Sequence, residues 1–174
     1  MNLVSGTLQM TMRPPSPQDG REVWQLVKQS PVLDLNSTYH YILMCDYFRD
    51  SCVLAHHGTQ LIGALIAFKH PRQRETLFVW QIVVDPVARG RGLAGRMIDL
   101  AIQQTGCTWL ETTVSPSNHA SRHLFESWAQ HHSAKLTDAE GYPAAWFKST
   151  HEHEPLLRIG PIATQAKKQQ GAEK

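Results

Sequence analysis

The sequence predicts an α/β domain: a mixed, mostly antiparallel twisted sheet flanked by about four helices. Three observations predict it. Short runs rich in β-branched and aromatic residues alternate with segments whose apolar residues recur three and four apart. Strand-like runs at 51–55, 60–68 and 76–84 follow one another across short breaks, as antiparallel neighbours do. Between 76 and 114 a strand, a glycine-containing turn, a helix and another strand come in order, which is one parallel crossover.

Taken in order, residues 10–13 form a short strand halted by Pro14, Pro15 and Pro17. Asp19 is placed as an N-cap, and Val23, Trp24, Leu26 and Val27 recur at helical spacing before Pro31. A second helix over 38–48 starts after Ser37. His56-His57-Gly58-Thr59 then separates two hairpin strands, with Gly58 supplying the turn. The run TLFVWQIVV at 76–84 is long enough for a central strand, and Asp85-Pro86 ends it. Leu93, Met97, Ile98, Leu100, Ala101 and Ile102 mark a helix over 93–104. A strand at 109–114 and a helix to about residue 130, capped by Ser117 or Asn118, follow. One or two final strands fall within 134–148. The apolar segment EPLLRIGPI at 154–162 either covers a neighbouring copy or closes its own sheet. Residues 1–10 read as a flexible leader, 11–160 as the domain and 161–174 as a polar C-terminal tail.

Composition narrows the function. A chain of 174 residues, 41% apolar and 18% charged, is one soluble domain with its own core. Lys and Arg number 17 against 15 Asp and Glu, a net charge of only +2, so nucleic acid is not expected as the main partner. No apolar run approaches the roughly 18 residues of a membrane span. No basic n-region leads into an apolar stretch at the start, so a cytoplasmic protein is expected. Cys45, Cys52 and Cys107 form no CxxC pair and are expected to be reduced and buried.

The sharpest motif is Val84-Asp85-Pro86-Val87-Ala88-Arg89-Gly90-Arg91-Gly92-Leu93-Ala94. It joins a strand end to a helix start and offers successive backbone N–H groups. Its glycines let the main chain approach a ligand closely, and the helix N-terminus favours a pyrophosphate. Arg89 and Arg91 add charge-assisted contacts. GxxxxGK[ST] is absent, which excludes a P-loop NTPase. Nor is this read as a dinucleotide-binding turn, because the crossover around it does not come early in the chain.

The loop resembles the acyl-CoA loop of the GCN5-related N-acetyltransferases, whose pattern is Q/R-x-x-G-x-G/A. Arg89-Gly90-Arg91-Gly92-Leu93-Ala94 fits that pattern, with Val84 and Pro86 supplying the upstream V-x-P. The resemblance implies acetyl-CoA as cosubstrate. It implies that Ile82, Val83 and Val84 present backbone groups to the pantetheine and thioester, and that residues 89–94 hold the pyrophosphate. It also implies that Asn118 orients CoA through its amide. The tyrosine that in many members protonates the leaving thiolate is replaced by Phe125, which has no proton to give. Many members are homodimers, so a homodimer is expected.

Further segments resemble those members that acetylate a small diamino acid: Leu33-Asp34-Leu35-Asn36-Ser37-Thr38-Tyr39, Val79-Trp80-Gln81, Thr112 to Asn118, and His153-Glu154-Pro155. Such a substrate carries two ammonium groups and a carboxylate, so its pocket needs acids and a donor. Asp34 and Tyr39 stand at the entry to the second helix, where this fold covers its acceptor. Trp80, two residues before Ile82 and expected on its face, can offer a cation–π wall. Each has a plainer alternative: a turn for Asp34, and core packing for Tyr39 and Trp80.

The expected chemistry is direct aminolysis, with Glu111, Glu152, Glu154 and His153 as unranked proton acceptors. A solvated strand face is the alternative for Glu111. No metal is expected: alternate residues of His151-Glu152-His153-Glu154 splay to two sides, and His119/His123 lack the Glu of HExxH. The rival readings are an acetyltransferase for another small amine and a non-catalytic acetyl-CoA sensor.

Overall fold

The computed structural model describes residues 10–148 and 150–163. Seven strands make one sheet: β1 (Met10–Arg13), β2 (Val53–His57), β3 (Gln60–Lys69), β4 (Thr76–Val84), β5 (Trp109–Thr113), β6 (Leu136–Tyr142) and β7 (Glu154–Ile159). Four helices accompany them: α1 (Gly20–Lys28), α2 (Thr38–Tyr47), α3 (Leu93–Thr105) and α4 (His119–His131). The strand order is β1-β2-β3-β4-β5-β7-β6. Every pairing is antiparallel except β4 with β5, the crossover expected from 76–114.

Local signals explain most elements. Ser37 caps α2 by accepting the His40 N–H at 3.2 Å, and Asn118 caps α4 by accepting from Ser121 at 3.1 Å. β2 runs on to His57, so the hairpin turn tightens to Gly58-Thr59, with Gly58 at φ 61°. Asp19 does precede α1, but its side chain caps nothing in that helix. Its carboxylate instead takes Nη1 and Nη2 of Arg13 at 2.8 and 2.7 Å, together with the N–H and hydroxyl of Ser16.

Two cores sandwich the sheet. One packs α3 and α4 on it through Leu93, Met97, Ile98, Phe125 and Trp128. The other lies under α1 and α2 and includes Val23, Val27, Tyr41 and Cys45. The second pair of helices covers β3 and the upper part of β4. On that face β5 and β7 form the floor of a cleft.

The final region falls within the alternatives that the sequence left open. The 134–148 window holds one strand, β6, and 154–162 supplies β7, which inserts between β5 and β6. The segment therefore closes its own sheet. At the chain ends, Met10, assigned to the leader, opens β1, and Ile162, assigned to the tail, is buried in the core with its N–H donating to Thr108 O at 2.7 Å. Residues 1–9 of the expected leader and 164–174 of the expected tail lie outside the described residues. Among the described residues no helix is long and apolar enough to cross a membrane.

Candidate active site

β4 and β5 pair only from Thr76 to Phe78 and from Trp109 to Glu111. Beyond those residues they diverge, and the β4 edge towards Val84 keeps backbone groups that β5 does not take up. A wedge opens there. At its top, Asp85 accepts the Val87 N–H at 3.0 Å and Arg89 Nε donates to Val84 O at 3.0 Å, which sets the turn leaving β4. Gly90 and Gly92 take φ of 73° and 68°, a left-handed conformation that L side chains rarely adopt. Arg89, Gly90, Arg91 and Gly92 are exposed, Ala94 is half-buried and Leu93 anchors α3 in the core. The first N–H groups of α3 have no intrahelical acceptor, so loop and helix end together present donors to an anion.

Asn118 is buried at the other wall of the wedge. Its Oδ1 is committed to the α4 cap, so its amide NH₂ is the group not used by that bond. Phe125 is 1% exposed and belongs to the core, so it is a packing residue.

The cleft on the α1/α2 side has a volume of about 810 Å³. Asp34, Trp80, Glu111, Asn118 and Glu154 all line it, brought together from five separate segments. The turn carrying Asp34 is held by a chain of hydrogen bonds. Tyr41 hydroxyl donates to Gln81 Oε1 at 3.0 Å, Gln81 Nε2 donates to Asp34 O at 2.7 Å, and Trp24 Nε1 donates to Asn36 O at 3.1 Å.

Trp80 requires a correction. Ile66 pairs with Gln81 but Ala67 pairs with Val79, so Trp80 is the extra residue of a β-bulge. The bulge resets the alternation: Ile82 packs with the α3/α4 core, whereas Trp80 packs with the α1/α2 core and meets the His40 ring at a tilt of 57°, centroids 4.4 Å apart. Trp80 therefore walls the acceptor cleft on the face opposite Ile82.

Three other expectations also change. Tyr39 is 67% exposed and outside the cleft, and Tyr41 is the tyrosine turned inward. Helical phase carried that signal, because Tyr41, Met44 and Cys45 share one buried stripe. The Glu152 carboxylate accepts the Ser117 N–H at 3.2 Å and hydroxyl at 2.5 Å, so it tethers the start of α4 and faces away from the cleft. Those bonds hold its pKa below the usual carboxylate range. His153 is exposed beside a separate hollow near Gly141 and Pro143.

His151, absent from the expected site, lines the cleft. Its Nε2 lies 3.1 Å from Asp34 Oδ2 and 3.9 Å from Glu154 Oε1, and its ring stacks on Phe147 at 4.2 Å. Its pKa is raised, first by the Glu152 carbonyl on Nδ1 and then by Asp34 and Glu154. Glu111 is buried, not on a solvated face, and paired with Arg158 Nη1 at 2.7 Å. Among the described residues no group of three or more His, Cys, Asp or Glu side chains could hold a metal ion.

A donor-rich loop at a helix start and an acidic, aromatic cleft meeting at one wedge are the arrangement of an acyl-CoA-dependent N-acyltransferase. The acetyltransferase (GNAT) family model matches residues 21–129, and the chain belongs to that family. It is 42% identical over 152 residues to L-2,4-diaminobutyric acid acetyltransferase of Marinococcus halophilus, covering 85% of this chain and 88% of the relative. A second relative of that name, from Streptomyces avermitilis, is 42% identical over 156 residues, covering 86% and 87%. Among solved structures, diaminobutyrate acetyltransferase from Paenibacillus lautus with L-2,4-diaminobutyric acid and coenzyme A superposes with a TM-score of 0.85. That pair is 43% identical, and the match covers 91% of this chain and 98% of that one.

Proposed function

We propose that the chain transfers the acetyl group of acetyl-CoA to the 4-amino group of L-2,4-diaminobutyrate, giving the N4-acetyl product from which the compatible solute ectoine is made by cyclisation. The observation that carries this reading is the closure of Asp34, His151 and Glu154 around a cleft that adjoins the β4–β5 wedge. Acids on one wall and the Trp80 ring on another suit an ammonium group on a short aliphatic chain.

The acceptor amine, with an ordinary pKa near 10, arrives protonated. Glu154 takes up the ammonium and accepts its proton, and His151 beside it relays the proton outward. The neutral amine then attacks the thioester carbon. Backbone N–H groups on the free β4 edge polarise the carbonyl and stabilise the oxyanion. Collapse breaks the C–S bond, and the second amine proton goes to the departing sulfur, a role that Phe125 has no group to fill. Cytoplasmic residence and a homodimer complete the reading. Three buried free thiols support the first and the family's habit the second.

The test is CoA release from acetyl-CoA with diaminobutyrate beside ornithine, lysine and spermidine, with NMR of the product. Selective turnover of diaminobutyrate with acetyl on N4 is expected. Preference for another amine removes the substrate assignment, and tight acetyl-CoA binding without turnover of any amine makes the protein a sensor.

A further inference from the structure

We propose that Arg158, held in place by Glu111, binds the α-carboxylate of the acceptor and so selects an amino acid over a plain diamine; this rests on the diaminobutyrate reading of the cleft. Glu111 on β5 and Arg158 on β7 are cross-strand partners, both lining the cleft. Glu111 is 4% exposed, and a carboxylate so buried needs its partner. Arg158 spends a single nitrogen on that partnership: Nη1 donates to Glu111 Oε1 at 2.7 Å and to Gln73 Oε1 at 3.0 Å. Nη2 and Nε make no hydrogen bond among the described residues. The guanidinium lies over the Trp109 ring at 4.6 Å, which fixes its plane. The Gln73 turn is itself tied, its N–H donating to His70 Nδ1 at 3.0 Å. What results is a braced guanidinium, one third exposed, on a residue that lines the cleft and keeps two nitrogens for a ligand.

The spacing suits the acceptor. Glu154, Leu156 and Arg158 alternate onto one face of β7, and the outer two stand roughly 13 Å apart at about 3.3 Å per residue. Four bonds from N4 to C1 of diaminobutyrate span about 5 Å. Charge-assisted contacts of about 2.8 Å at each end extend that to roughly 11 Å, within reach of the two side chains. Phe78 and Trp80 wall the cleft between, where the methylene groups would lie. With acids at one end and an arginine at the other, the cleft orients a dipolar chain so that its distal amine faces the wedge.

The experiment compares kcat/KM for L-2,4-diaminobutyrate with that for 1,3-diaminopropane, the same chain without the carboxylate. Wild type is expected to favour diaminobutyrate. Arg158→Met is expected to lower diaminobutyrate kcat/KM about 10- to 100-fold, chiefly through KM, and to lower diaminopropane turnover far less. The acetyl-CoA KM stays in place. Arg158→Lys, which keeps the charge and loses the fork, narrows the preference by a smaller factor and serves if the methionine variant does not fold. Glu111→Gln acts in the same direction by loosening Arg158. Equal losses on both amines in these variants, or an undiminished preference for diaminobutyrate, would overturn the proposal. If wild type turned over neither amine, the diaminobutyrate reading itself would fall, and this inference with it.

Discussion

His151 Nε2 lies 3.1 Å from the Asp34 carboxylate, although 117 residues separate the two in the chain. The contact joins the α1–α2 connection to the β6–β7 connection across the mouth of the acceptor cleft. Gln81 holds the backbone of Asp34 from below, and Phe147 and the Glu152 carbonyl hold the imidazole from above.

That clasp titrates. The His151 pKa is raised above its ordinary 6.5, because the Glu152 carbonyl, Asp34 and Glu154 favour the imidazolium. A group raised in the folded state adds stability that is fully present below its unfolded pKa and is lost as pH rises through the folded one. The stability difference between wild type and His151→Ala is therefore expected to be largest below about pH 6 and to shrink on the alkaline side. Urea unfolding of both proteins across that range measures it; a difference independent of pH would contradict it.

Asp34 and Glu154 line the cleft, and under the proposed function Asp34→Asn and Glu154→Gln each remove a charge meant for the acceptor amines. Each is expected to lower kcat/KM for diaminobutyrate by about 10-fold or more, with the acetyl-CoA KM little changed. Tyr39→Phe is expected to be silent. Tyr41→Phe breaks the bond that places Gln81 under Asp34 and is expected to raise the acceptor KM. Steady-state kinetics with each substrate varied in turn separates these outcomes.

Gly92→Ala tests the phosphate cradle. A Cβ there meets nothing within 4 Å, so the cost is backbone strain at φ 68°, about 1 kcal/mol. The acetyl-CoA KM is expected to rise several-fold while the acceptor KM holds. Isothermal titration with CoA and thermal unfolding should register the two effects separately.

Asp19 anchors the start of the domain. The Arg13 guanidinium and Ser16 hold its carboxyl far below the usual range. A depressed folded pKa gives stability that is present above the unfolded value and lost as pH falls through the folded one. Asp19→Asn is expected to cost about 1–3 kcal/mol at neutral pH, discounted because Arg13 is half-exposed, and to flatten the acid limb of the stability curve. Denaturant midpoints of the two proteins at neutral and acid pH would show it.

Local structure was written in contiguous residues. Strand, turn and helix from Thr76 to Thr105 were legible because contiguous residues dictate them, and the cradle's chemistry lies in the backbone of Arg89 to Leu93. Asp34, Trp80 and Glu154 were readable as site candidates from residue type and the company they keep. How those parts meet depends on long-range pairing. The β7 strand slips between β5 and β6, so Glu111 finds Arg158 and Glu154 finds His151. One bulged residue turns Trp80 to the face that alternation assigns to its neighbours. Local propensity chooses the conformation of a segment, but non-local pairing chooses its register and partners, and in a sheet a one-residue shift reverses which side a side chain serves.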